Sequence, residues 1–434
     1  MKKIAAIIFC LGIILSMTAC QNNTPAATTE AKDYSQFAGI VADPTGWVEE
    51  FEALPIANEN MTVDELRQLA VDAFRADLTF RWTPNQPVIY TYSMGDVNLP
   101  IGMAYSGLCY ATGVSGATVG NIHKLLPYYD RQTGTLDIEA MGDKFLGIIS
   151  SACSYGAMQG WNRVSNSHGI GGMQTYNQYD SNIIPVGPYT YETYNYNHNF
   201  NTRTASREII EFNGEQVMYE SYAQTLPGDG LYTSPGWHVV MCSEAPVVVR
   251  NPDGTINPQE SYITLCGQGN DGTHLHPKLI IKQENGVDLC QLGSVDYTQT
   301  FEKLLLSGYI PFTIPEFVGE DPVEPGEAWL GNQASKMENG LDITAEELFK
   351  KKLCANYVIN TVEVTIKDPE GNVLLKYDPS VPTTPRGYEL PNLQDGYQIE
   401  KLTPFANGKN TIHIYARLAN GELLEAFNTV LKMD

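Results

Sequence analysis

Positive charge is scarce in this chain of 434 residues. Lys and Arg total 27 against 50 Asp and Glu, a formal net charge of −23. A nucleic-acid partner is excluded on that ground, because phosphate neutralisation needs clustered cations. Bulk electrostatic attraction to an anionic membrane or wall polymer is excluded for the same reason. The sequence holds no CxxC pair, no Walker pattern and no repeat at solenoid periods. Beyond the N-terminus no apolar run is long enough to span a bilayer. What remains is a globular composition, 43% hydrophobic and 18% charged, with 25 Tyr and 38 Gly. The length suggests two or three domains.

The N-terminus reads MKKIAAIIFCLGIILSMTAC. Lys2 and Lys3 precede an apolar stretch too short for a spanning helix, as in a secretory signal. The small residues before Cys20 resemble the bacterial lipoprotein cleavage box. That resemblance implies removal of residues 1–19, lipid attachment at Cys20 and an extracytoplasmic, membrane-anchored location. Residues 20–45 are expected to form a flexible tether.

Thr62 and Glu65 form a capping box, and apolar residues then recur at helical spacing over 63–75. Strands are expected at 78–82 and 88–92, and helices near 118–126, 137–147 and 154–164. Residues 165–204, rich in Tyr and Asn, read as a long surface loop or substrate-facing segment. Strands follow at 238–242, 247–250, 262–266, 278–283 and 288–292, the last two joined at Asn285-Gly286. A helix is expected over 297–306. Residues 318–326, with two Pro and two Gly, mark a boundary. The short strands expected at 360–366, 372–377, 411–417 and 423–431 suggest an immunoglobulin-like sandwich over 325–434. His413 reads there as a strand-face residue.

Six cysteines remain after Cys10 and Cys20. Cys153, in GIISSACSYGAMQGW, is placed at or near a helix N-terminus, where the dipole and free N–H groups stabilise a thiolate. A buried cysteine opening a core helix fits the same local sequence. His238, near the start of a core strand, decides between them, since such a position can reach a helix packed on the sheet.

Residues 101–161 and 225–268 resemble the NlpC-type, papain-like cysteine peptidases of bacterial cell walls. The pieces are Gly102-Met-Ala-Tyr105-Ser-Gly, Ala152-Cys153-Ser154, Pro227-Gly228-Asp229 and His238-Val239, in the family's order. The resemblance implies an α+β fold over 46–318, with helices packed on an antiparallel sheet. It implies Cys153 as nucleophile, His238 as general base and acid, and Tyr105 near the oxyanion site. A third residue would orient the histidine, either Gln268 or Thr264. No cofactor or metal is implied. The implied function is amide hydrolysis in a peptide, above all peptidoglycan stem peptides. Ala152 stands where the family usually carries Asp. A non-catalytic glycan- or peptide-binding lipoprotein on the same scaffold is the alternative, and docking through the C-terminal sandwich a third.

Other patterns are weaker. Thr273-His-Leu-His276 lacks further ligands for zinc. Gly267 to Gly272 matches GxGxxG, but no helix follows to hold a pyrophosphate. His168 and His198 read as loop residues, and 350–352 as a solvated helix end.

Overall fold

A computed structural model describes residues 32–44, 46–92, 95–110, 122–165, 184–190, 205–233, 238–268, 280–332, 335–340, 343–344, 348, 351–378 and 403–432. The signal segment, Cys20, His168, His198, the 273–276 motif and most of 165–204 lie outside the described residues. The chain divides by contact into two units, Met1–Gln36 and Phe37–Asp434. Of the first, only 32–36 are described. Among the described residues no helix is long and apolar enough to cross a membrane.

The second unit is α+β. A six-stranded sheet runs in the order Ser294–Thr300, Tyr262–Gly267, His238–Cys242, Gly230–Thr233, Tyr309–Thr313, Ile184–Pro185. Each neighbouring pair in it is antiparallel. Two helices, Val63–Thr79 and Cys153–Trp161, share the core with it, through Leu69, Phe74, Ala157, Trp161, Val239 and Met241. A second six-stranded sheet includes Arg81–Pro84, Ala104–Ser106 and Val287–Gln291. It surrounds a core containing Trp82, Tyr105, Leu108 and Cys290. At the C-terminal end a three-stranded and a five-stranded sheet enclose one further core, with Leu330 and Leu353 meeting Val364, Ile414 and Phe427.

The first helix begins at the expected capping box: Thr62 Oγ1 accepts from Glu65 N–H, and the Glu65 carboxylate accepts from Thr62 N–H. It runs past 75 to Thr79 because Leu78 is buried and Phe80 N–H still closes on Ala76 O. The strand therefore starts at Arg81, not 78. The expected helix over 137–147 is broken at Gly142, which takes φ 52°; Ile138–Met141 and Phe145–Ile149 are separate helices. The expected helix over 297–306 is half strand: Ser294–Thr300 pairs with Tyr262–Gly267, and Thr300 caps a helix only from Phe301. Residues 247–250 form isolated bridges instead of a strand. The Asn285-Gly286 hairpin forms as expected, both residues taking positive φ.

Helix Cys153–Trp161 lies close against its neighbours because two of its residues lack side chains. A Cβ on Gly160 would fall 2.5 Å from Ala70 O and 2.8 Å from Met241 Cε. One on Gly156 would fall 2.9 Å from the Phe74 ring. At its far end Trp161 Nε1 donates to Gly228 O at 2.7 Å. Gly228 belongs to the Pro-Gly-Asp turn, whose Asp229 is buried against Arg67 of the first helix at 2.7 Å. Arg67 also donates to Pro227 O at 3.0 Å, and to Thr313 Oγ1 and Phe317 O at 3.4 Å. The guanidinium stacks on the Phe317 ring at 4.6 Å. Burial pushes the Asp229 carboxyl up, and the Arg67 charge opposes that push.

Breaking this pair leaves a buried charge unmatched, which typically costs about 3–5 kcal/mol. Asp229→Ala is expected to lower the unfolding free energy in urea by about that amount. Arg67→Met combined with Asp229→Ala should recover most of the loss. A double variant no more stable than the single one would refute the assignment.

Candidate functional site

Cys153 is the first residue of its helix. The N-cap is Ala152, with no side-chain capping bond. Gly156 N–H already closes on Ala152 O at 2.9 Å, so the N–H groups of the first turn have no carbonyl partner within the helix. The thiol sits among them. Its hydrogen-bond donors are the backbone N–H groups of Val239, Ser154 and Cys153 itself, and the Tyr110 hydroxyl.

The Val239 N–H is available for a reason that the ladder explains. In the His238–Cys242 strand Cys242 N–H points to Asp229 O, while Ser243 N–H points the other way, to Thr264 O. By alternation Val239 and Met241 point their N–H groups toward the Tyr262–Gly267 strand. That pairing ends at Met241 opposite Cys266. The Val239 N–H, one step beyond, goes to the thiol instead. The sulfur thus lies against the peptide that joins His238 to Val239.

His238 is buried, 4% exposed, and stands opposite Thr233, which in turn stands opposite Tyr309. The His238 and Tyr309 rings meet edge-on at 6.4 Å. Burial and the nearby Cys153 both hold the Tyr232 and Tyr309 phenols in their neutral forms. Cys153, His238, Tyr110, Tyr232 and Tyr309 therefore gather at one end of the sheet.

The other expected site residues are placed elsewhere. Tyr105 is fully buried in the second core, its ring 5.0 Å from Trp82 and its hydroxyl donating to Pro100 O at 2.9 Å. The phenol at the thiol is that of Tyr110. A two-residue parallel bridge pairs Tyr110 with Ser151, two positions before Cys153. Gln268 is buried behind the helix, its Nε2 donating to Leu108 O at 2.7 Å. It ties the sheet to the strand that carries Tyr110. Extending the register puts Gln268 opposite Val239, so its side chain shares a face with Val239 and not with His238. Thr264 lies four residues further along, about 13 Å at strand rise, with its hydroxyl bonded to Glu244. Tyr110, Tyr232 and Tyr309 were missed in the sequence; the position of Tyr232 in LYTSPGWH, on the strand leading into the His238 turn, is the one signal that could have found it.

Burial dominates the thiol: it pushes Cys153 above the ordinary range, against the four donors that favour the thiolate. The expected thiolate is therefore a neutral thiol in the resting protein, and ionisation requires a base. Tyr110→Phe removes one donor to the anion. Alkylation of Cys153 at mildly alkaline pH should slow by about tenfold, read as the difference from a Cys153→Ala background. An unchanged rate would remove Tyr110 from the site.

Asp77 holds the other flank. Its carbonyl accepts Leu108 N–H at 3.2 Å, and its carboxyl accepts Ile122 N–H while Oδ2 has no partner. Burial raises this carboxyl to about 8. The folded-state value lies above the unfolded one, so the unfolded chain loses its proton first as pH rises. Stability should fall between about pH 4 and pH 8 and level off above. Asp77→Asn is expected to abolish that decline in urea melts across the range; a parallel pH profile in the variant would refute it.

Comparison with known protein families, with curated proteins and with solved structures finds no match to this chain.

Proposed function

We propose that this protein is a lipid-anchored, extracytoplasmic cysteine hydrolase of the NlpC-like, papain-like type, followed by an immunoglobulin-like sandwich. It cleaves amide bonds in peptides, with peptidoglycan stem peptides as the leading substrate. The observation that carries the reading is the position of Cys153. Its sulfur lies at an uncapped helix N-terminus, against the His238–Val239 peptide and under the Tyr110 hydroxyl. Helices on an antiparallel sheet support the scaffold.

Because burial keeps the thiol neutral, the proton leaves as the bond forms. His238 takes it while sulfur attacks the carbonyl carbon. The oxyanion that develops is stabilised by first-turn N–H groups and the Tyr110 hydroxyl. Collapse expels the amine with the proton returned from His238, leaving a thioester that water hydrolyses. Tyr309, edge-on to His238, limits the swing of the ring.

One observation favours the alternative, a binding protein that does not cleave: both Cys153 and His238 are only 4% exposed and the thiol is shifted up. Cys153→Ala and His238→Ala separate the two. Under the hydrolase reading each abolishes release of amine from soluble wall fragments and leaves fragment binding within a few-fold. A wild-type protein that binds fragments and releases no amine would establish the alternative.

A further inference from the structure

Three basic side chains meet where the C-terminal sheets join the rest of the unit. His123 lies on the short helix Ile122–Leu125, Arg163 just beyond the Cys153 helix, and Arg417 on the strand Thr411–Leu418. His123 is 8% exposed and Arg163 4%. The His123 ring packs on Phe51 at 4.8 Å. Arg163 Nη2 donates to the carbonyls of Leu54 at 2.9 Å and Pro55 at 3.3 Å. The rest of its guanidinium lies against Gly421, where a Cβ would fall 2.4 Å from Nη1. Arg417 Nη1 donates to the carbonyl of the same Gly421 at 3.3 Å. Two guanidiniums thus converge on one turn.

Among the described residues none of the three has a carboxylate partner. Most of the other described arginines differ: exposed Arg207 donates only to the Leu306 carbonyl, but the rest are paired. Arg67, Arg75, Arg81, Arg131 and Arg250 each hold an Asp or Glu. The chain has carboxylates to spare, 50 against 27 cations. Here the charges are mutually repulsive: burial and then Arg417 push Arg163 down to about 10. Burial, then Arg417 and Arg163, push His123 down to about 3. Two buried nitrogens, Arg163 Nε and His123 Nε2, have no hydrogen-bond partner. A buried cation without a counter-charge is costly, and buried donors left unmade add to that cost.

We propose that this cluster is a binding site for a small oxyanion, a carboxylate or a phosphate, held between Arg163 and Arg417. Planar guanidiniums match both groups, which accept two parallel N–H bonds. Arg417, half-exposed, gives the entry side. Neutral His123 can add an Nε2–H donor. The anion would bridge the C-terminal sheet to the segment that follows the Cys153 helix. The site lies beyond the far end of that helix, whose nine residues span about 13 Å.

The test is thermal unfolding of the full chain in millimolar inorganic phosphate, in N-acetylalanine as the carboxylate, and in sodium chloride at matched ionic strength. A saturable rise in Tm of at least about 2 °C over chloride is expected with one or both. Phosphate alone identifies a phosphate site, N-acetylalanine alone a carboxylate site, and both an unselective oxyanion site. Arg417→Gln should abolish the rise and, by removing a like charge, raise Tm in chloride. Cys153→Ala should keep the full response, so the outcome is independent of the hydrolase reading. Should Arg417→Gln fail to fold, calorimetric titration of wild type with each anion decides, one anion per chain being expected. No shift with either anion, no binding heat, or an unaltered shift in Arg417→Gln overturns the proposal.

Discussion

The buried pair of Arg67 and Asp229 holds the rest in place. One guanidinium reaches from the first helix to the Pro-Gly-Asp turn, to Thr313 on a neighbouring strand and to the Phe317 carbonyl. The same turn receives the Trp161 indole at Gly228 O. Two helices and two strands are thereby referred to one point. Isolated, such a pair adds little net stability, because desolvating both ions offsets their attraction. Its effect is geometric. Exchanging either partner leaves a charge that nothing nearby can satisfy, so alternative packings of the two helices are costly.

From that point the position of the thiol follows. Trp161 fixes the C-terminal end of its helix, and Gly156 and Gly160 fix how closely it approaches Phe74, Ala70 and Met241. Eight residues before Trp161 in the same rod, the N-terminus arrives where the His238 strand has lost its neighbour and offers the Val239 N–H. The Pro-Gly-Asp motif, which in the sequence marks a turn on the way to His238, is in the structure the anchor of the helix that carries Cys153.

How much of this was legible in the sequence depends on the range of the interaction. The Thr62–Glu65 box and the Asn285-Gly286 turn are local and were readable residue by residue. The helix expected over 297–306 starts four residues too early, because the pairing of Ser294–Thr300 with Tyr262–Gly267, which decides the state of 297–300, is not a local feature. The placement of Cys153 and His238 at one end of the sheet followed from two local signals, a helix start and a strand start. Tyr110 did not, because what selects it over Tyr105 is a two-residue bridge to Ser150–Ser151. Gln268 is expected on the strand beside His238 but lies one residue past its end at Gly267, and its face depends on a register that no local pattern fixes.

Ala152 is the departure that bears most on the chemistry. A Ser, Thr or Asp at this N-cap would accept from the first-turn N–H groups and stabilise the helix by about 1 kcal/mol. An Asp would also put a negative charge beside the sulfur and oppose its ionisation. With alanine the cap is forgone, and the helix relies on Trp161 and on glycine-mediated packing for its stability. The N–H groups of Cys153 and Ser154, left without a cap, then favour negative charge on the sulfur. Burial still favours the protonated sulfur, so under the proposed hydrolysis these donors would matter when negative charge develops and little before it. An uncapped helix end, costly for folding, would under the proposed hydrolysis supply backbone donors to a developing oxyanion, beside the Tyr110 hydroxyl.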